Sequence, residues 1–381
     1  MPVSTRIIPC VFALALLAPV TSAEVGEFKI APVLPLTAEQ QHQLQQLIQT
    51  NPRAAELAQL EIDAARATLD RPLTPLRVIH YEGLVNTHPK RIKAVESLRQ
   101  MSDTARLLRA WQATSDSAFA AKLQQIIIAW ADTYEPTGND VNENKLYPLL
   151  VAYLALREQF TAPQQERVEA WVLALGKHHA REAQRSNRLN NRFTKSLRLV
   201  VITGRILDKP DWTETARQGA QRFIAASLFP DGTSHDLRER DTLTYHSSAL
   251  RPLIQLSILL DGKHPDALYH WTSPNGGSVQ KSVQYIIPYA TGEKQHREWV
   301  HSRVDLDRRR AAAGLEKYRI GRLYEPQQAT SLLADAVFYE PQLTPLLAQL
   351  LDAPHAQLPS WESLVLTSIA QTPVATAQPN P

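Results

Sequence analysis

The most restrictive feature of this 381-residue chain is the spacing of its apolar residues. From about residue 37 onward they recur at i, i+3, i+4 and i+7, the period of an amphipathic helix. Phe119, Leu123, Ile126, Ile127 and Trp130 make one such stripe, and Val168, Trp171, Val172 and Leu175 another. Leu197, Val200, Val201 and Gly204 make a third, then Ala216, Ala220, Phe223 and Ile224 a fourth. Several helix starts are written locally. Thr37-Ala38-Glu39-Gln40 and Thr161-Ala162-Pro163-Gln164 read as capping boxes, and Asn51-Pro52 as an N-cap followed by proline at the first helical position. With only 13 glycines against 26 prolines, the chain lacks the turn glycines that close-spaced β-hairpins need. Residues 71–90 have no clean period and read as a loop, as does the polar run 135–144. Helices of this kind must bury their stripes against one another. No fixed-period repeat argues for a strict solenoid. The expectation is an all-α protein, an incomplete (α/α) toroid of helical hairpins.

The first 23 residues stand outside that pattern. Arg6, the apolar run Ile7 to Val20 and the small residues Thr21-Ser22-Ala23 have the order of a secretory signal peptide. Its apolar run is too short to span a bilayer, and no later run is long enough. The expected mature protein is therefore periplasmic with no stable membrane anchor, and its domain runs over residues 24–370. The only cysteine, Cys10, leaves with the signal. Residues 371–381 read as a disordered tail.

A net charge of +3 gives no reason to expect nucleic acid as a partner. The sum hides an uneven distribution. Residues 177–209 carry nine Lys or Arg against two acids, a local +7, together with His178-His179 and Asn190-Asn191. On composition this is either a solvated helix face or a site for an anionic ligand. A second concentration, PDGTSHDLRERDTLTYHSSALRPL at 230–253, gathers Arg238, Arg240, Tyr245 and His246 before an apolar helix. If helical throughout, Asp241 and Tyr245 share a face at i, i+4, and Arg238 and Tyr245 at i, i+7. Acids within it offer a plain ion-pair reading of the same residues. No HExxH, cysteine cluster, P-loop, GxGxxG or GxSxG occurs, so no metal or cofactor is expected.

HYEG at 80–83, IAWADTYEPTGN at 128–139, LNNRF at 189–193 and DGTSHDLRERDTLTYHSSALRPL at 231–253 occur in an order that resembles the alginate lyase family of polysaccharide lyases. The resemblance spans roughly residues 78–340 and implies the same incomplete toroid. It also implies β-eliminative cleavage of a uronate polysaccharide, alginate or polymannuronate first, in an exported enzyme. Position by position, Tyr245 falls on the family's tyrosine and Asn191 on the asparagine of its Asn-Asn-His motif. Arg192 stands where that motif has histidine. The family arginine falls on Arg238, or on Arg240 after a short shift. His80 and Tyr81 fall on a mobile lid over the substrate, with His80 where a lysine is common.

Elimination explains these residue types. The uronate C5 proton becomes acidic only when the neighbouring carboxylate is neutralised by positioned donors. The resemblance gives that part to Asn191 and an arginine, with Arg192 replacing histidine. Tyr245 takes the C5 proton and returns one to the departing O4. A tyrosine ionises near pH ~10, so such a base needs cationic neighbours, for which Arg238, Arg240 and His246 are the candidates. Arginine at 192 neutralises a carboxylate but cannot serve as a neutral base. Two other readings stay open: an (α/α) glycoside hydrolase using two of Asp236, Glu239 and Asp241, and a non-catalytic periplasmic polysaccharide-binding protein.

Overall fold

A computed structural model describes residues 32–371; the signal segment and the tail beyond 371 lie outside them. The helices start where local chemistry supplies donors and caps. In α1 (Ala38–Thr50) the Gln40 N–H donates to Thr37 Oγ1 at 3.2 Å and the Thr37 N–H to Gln40 Oε1 at 3.0 Å, the reciprocal capping box. Asn51 opens α2 (Pro52–Arg66) by accepting from the N–H groups of Arg53 and Ala54 at 2.9 and 3.1 Å. Residues 67–88 are largely irregular. Then come α3 (Pro89–Thr114), α4 (Ser117–Thr133), the single turn α5 (Asp140–Glu143), α6 (Tyr147–Leu156) and α7 (Ala162–Arg185). The second half holds α8 (Asn191–Ile206), α9 (Pro210–Ser227), α10 (His235–Arg240), α11 (Leu243–Asp261) and α12 (Val279–Ala290). It closes with α13 (Asp305–Ala312), α14 (Thr330–Ala336), α15 (Thr344–Leu350) and α16 (Trp361–Gln371). Among the described residues none of these helices is long and apolar enough to cross a membrane.

The packing sorts most of them into two layers of an all-α toroid. An inner series runs α3, α6, α8, α11, α14, each against the next, while α2, α4, α7, α9 and α12 back it. The residue patterns follow. Inner α6 is apolar on nearly every side and buried on nearly every side. Outer α7 buries one stripe, Val168, Trp171, Val172, Leu175 and His179, and exposes Lys177, His178, Arg181 and Arg185. Close layer contact needs glycine at one point: a methyl group on Gly176 of α7 would collide with the Trp212 ring of α9.

Two large apolar cores, one for each half of the arc, share Leu207 as a packing partner. A third joins α1, α2 and α16, so the first and last helices meet. Beside it lies Arg109 of α3, 4% exposed. It donates to Glu61 Oε1 of α2 and the Pro32 carbonyl, each at 2.7 Å, and to Glu362 of α16. The described strands are β1 (Arg297–Glu298) and β2 (Arg322–Leu323), an antiparallel pair at the base of a flap formed by residues 299–321.

Candidate active site

Inner helices α8 and α11 carry the residues singled out above. Asn190 caps α8 by accepting from the Arg192 N–H at 3.2 Å. The Asn191 N–H donates to Asp236 at 2.8 Å, and its side-chain amide to Ser248 Oγ at 3.0 Å. Ser248 lies three residues after Tyr245, on the same side of α11. This holds Asn191 against the face of α11 that carries Tyr245.

The run 231–253 is not one helix. Between α10 and α11, Asp241 adopts the left-handed conformation, φ +51°, and breaks the run. The break decides between the two arginines. Arg240 lies over the Tyr245 ring, its Cζ 3.6 Å from the centroid, and is held by a two-pronged ion pair to buried Asp307, Nε to Oδ2 at 2.9 Å. Arg238, expected seven residues before the tyrosine on one helical face, points the other way. It is exposed, pairs with Asp231 at 2.9 Å, and covers the Phe229 ring.

A second tyrosine enters from the flap. The Tyr318 hydroxyl is 3.2 Å from that of Tyr245, and Trp299 packs its ring near both, at 5.6 and 5.1 Å. Buried Glu298 fixes the flap to α11. It accepts from the Thr244 N–H at 2.9 Å, Thr242 Oγ1 at 2.8 Å and Arg322 at 2.8 Å. Burial, then the neighbouring Tyr245, pushes the Tyr318 phenol well above its ordinary range. It therefore keeps its proton and is a ready donor to the Tyr245 oxygen. The sequence reading did not name Tyr318, which sits in no apolar period and comes to Tyr245 only through tertiary pairing.

The 79–86 loop packs on α5 and α8. His80 is exposed. Tyr81 is buried, with Arg91 at 4.2 Å and Lys145 at 4.9 Å from its ring. Glu82 receives Asn139 Nδ2 at 2.7 Å and pairs with Arg192, which also holds buried Asp140 at 2.8 Å. Arg192 was expected to face a substrate carboxylate; it is engaged instead by two carboxylates of the protein and ties the loop to α8. His246 was expected among the cations around Tyr245 and lies in the core. Its Nε2–H donates to the Ser282 carbonyl at 2.9 Å and Nδ1 accepts from Ser234 at 2.8 Å. Burial lowers its pKa to about 4, so it is neutral near pH 7.

The remaining candidates disperse. Asp236 is buried at the Asn191 N–H, Glu239 faces Arg303 at 3.4 Å, and Asp241 accepts from the His301 N–H at 2.8 Å. Each is engaged by a different neighbour. The basic run 177–209 also divides. Lys177, Arg181 and Arg185 lie on the solvent face of α7, whereas Arg192, Lys195 and Arg198 are on α8.

The profile of the alginate lyases matches residues 37–296. The chain belongs to the alginate lyase family. It is thus a polysaccharide lyase. The crystal structure of an alginate lyase from Bacteroides ovatus is similar, with TM-score 0.59 and 15% identity, covering 85% of this chain and 97% of that one. Alginate lyase A1-III of Sphingomonas species A1, as the apo form of a histidine-to-alanine variant, gives 0.52 at 17% identity over 72% of this chain and 85% of that one. A tyrosine-to-phenylalanine variant of A1-III complexed with a tetrasaccharide gives 0.50 at 17% identity, covering 66% and 77%. At such identities the likeness is one of fold. No curated protein matches the chain by sequence. The flap that carries Tyr318 begins where the family match ends.

Proposed function

We propose that this lyase cleaves an acidic uronate polysaccharide, alginate first, by β-elimination with Tyr245 as the proton-transfer group. The observation that carries this reading is the setting of the Tyr245 hydroxyl. A guanidinium lies over its ring at 3.6 Å and a protonated phenol lies 3.2 Å from its oxygen. The first brings charge to the ring and the second a hydrogen bond to the oxygen that would carry the proton. Asn191, held against the same face of α11, supplies an amide for the substrate carboxylate. In the step itself Tyr245 takes the C5 proton, and the C–H electron pair becomes the C4=C5 double bond. The C4–O4 bond then breaks, and the proton passes to O4. One group serving both atoms suits removal from a single face of the ring. The tetrasaccharide complex of A1-III supports an oligosaccharide ligand on this scaffold. The signal-like N-terminus supports action outside the cytoplasm, in the periplasm, checked by finding the chain there with Glu24 at its N-terminus.

The test is a panel of alginate, polymannuronate, glucuronan, pectate and glycosaminoglycans, followed in the ultraviolet for the new double bond. Alginate or polymannuronate should give an absorbing product, and Tyr245→Phe should lower turnover at least about 1,000-fold with polymer binding retained. New reducing ends without ultraviolet absorbance would mean hydrolysis. Retention of polymer without cleavage would mean a binding protein.

A further inference from the structure

Arg192 is occupied, so the substrate carboxylate needs another cation. One turn after Asn191 on α8 is Lys195, partly buried. Its ammonium makes no hydrogen bond or ion pair with any described residue, an unusual state for an enclosed cation. Charged groups from four segments act on it. Lys145 comes from the turn after α5 and Lys317 from the flap beside Tyr318, while Asp140 and Asp236 come from α5 and α10. Both acids are committed elsewhere, Asp140 to Arg188 and Arg192, and Asp236 to the Asn191 N–H. What the ammonium lacks is an anion from outside the protein. Residues i and i+4 on a helix sit side by side, so Asn191 and Lys195 can reach one carboxylate together.

We propose that Lys195 receives the uronate carboxylate whose C5 is deprotonated, taking the part that the family motif suggests for Arg192. The proposal rests on the lyase reading above. The ammonium donates to the carboxylate and neutralises it, while the C5 proton still goes to Tyr245. Burial, and next Lys145, lowers the lysine's pKa to about 8. The active form is protonated, so activity falls as pH rises through that value.

The experiment compares the wild type, Lys195→Gln and Lys195→Arg on the accepted polymer and on its methyl ester. Lys195→Gln should lose at least about 100-fold in kcat on the free acid and far less on the ester, which has no charge to neutralise. Lys195→Arg should keep much of the activity and shift the alkaline limb upward, because a guanidinium does not titrate there. A purely structural lysine would affect acid and ester equally and leave the limb in place. That result, or a Gln variant within threefold of wild type, overturns the proposal. Should Lys195→Gln fail to fold, the Arg variant's pH profile decides alone. A wild type that releases no unsaturated product from any polyuronate defeats the lyase reading itself, whatever the variants do.

Discussion

At the scale of single residues, Tyr318 is the sharpest addition to the site. Its hydroxyl is the partner of the Tyr245 oxygen, and a hydrogen bond to a charged group is worth about 1.5–3 kcal/mol. Tyr318→Phe should therefore lower kcat by about 10- to 100-fold with KM little changed, as steady-state kinetics would show. His246 shows a different kind of residue-scale effect. Burial holds its folded pKa at about 4 against an ordinary 6.5. Below pH 6.5 the unfolded chain gains a proton that the fold refuses, so stability present above 6.5 drains away as pH falls to 4, by about 3 kcal/mol. Asp236 works in the opposite sense. Burial raises it to about 6, and its destabilising ionisation is relieved as pH falls below that. The wild-type slope thus mixes two opposed terms. Denaturation of wild type and His246→Gln between pH 7 and 4 isolates one: the variant starts less stable and loses less. Equal losses would remove His246 from the account.

At the scale of elements, caps and stripes were legible because their partners lie within a turn. Thr37 with Gln40, and Asn51 before Pro52, behave as written. The break at Asp241 was not legible. Its left-handed turn is held by flap groups about 60 residues on: the Trp299 N–H donates to its carbonyl at 2.7 Å and the His301 N–H to its carboxylate at 2.8 Å. Helical counting across the break favoured Arg238, and only the break brings Arg240 onto Tyr245. The isolation of Lys195 was equally invisible, since it depends on which carboxylates the fold assigns to its neighbours. Gly176 gives a prediction at this scale. Alanine is the better helix former by about 1 kcal/mol, yet overpacking against Trp212 costs about 1–3 kcal/mol. Gly176→Ala should be less stable by chemical denaturation, and a stabilised variant would show that α7 and α9 can move apart.

At the scale of the whole molecule, nearly balanced charge conceals a sorted distribution. Part of the basic run faces solvent on α7, while Lys145, Lys195 and Lys317 gather where α8 meets the flap. A polyanion drawn to that cluster should bind less well as salt shortens the range of the field. KM should rise several-fold between about 0.05 and 0.5 M salt with kcat nearly constant, and a salt-independent KM would leave the cluster without a role in capture. The other large-scale feature is the meeting of the first and last helices. Arg109 and Glu362 are 253 positions apart, so no nascent chain can join them until almost all of it has emerged. Each half of the arc has its own core and can condense earlier from nearer contacts. Closure of the seam is then a late kinetic event, and a folding intermediate caught before it would hold Arg109 against Glu61 and the Pro32 carbonyl, with α16 still undocked.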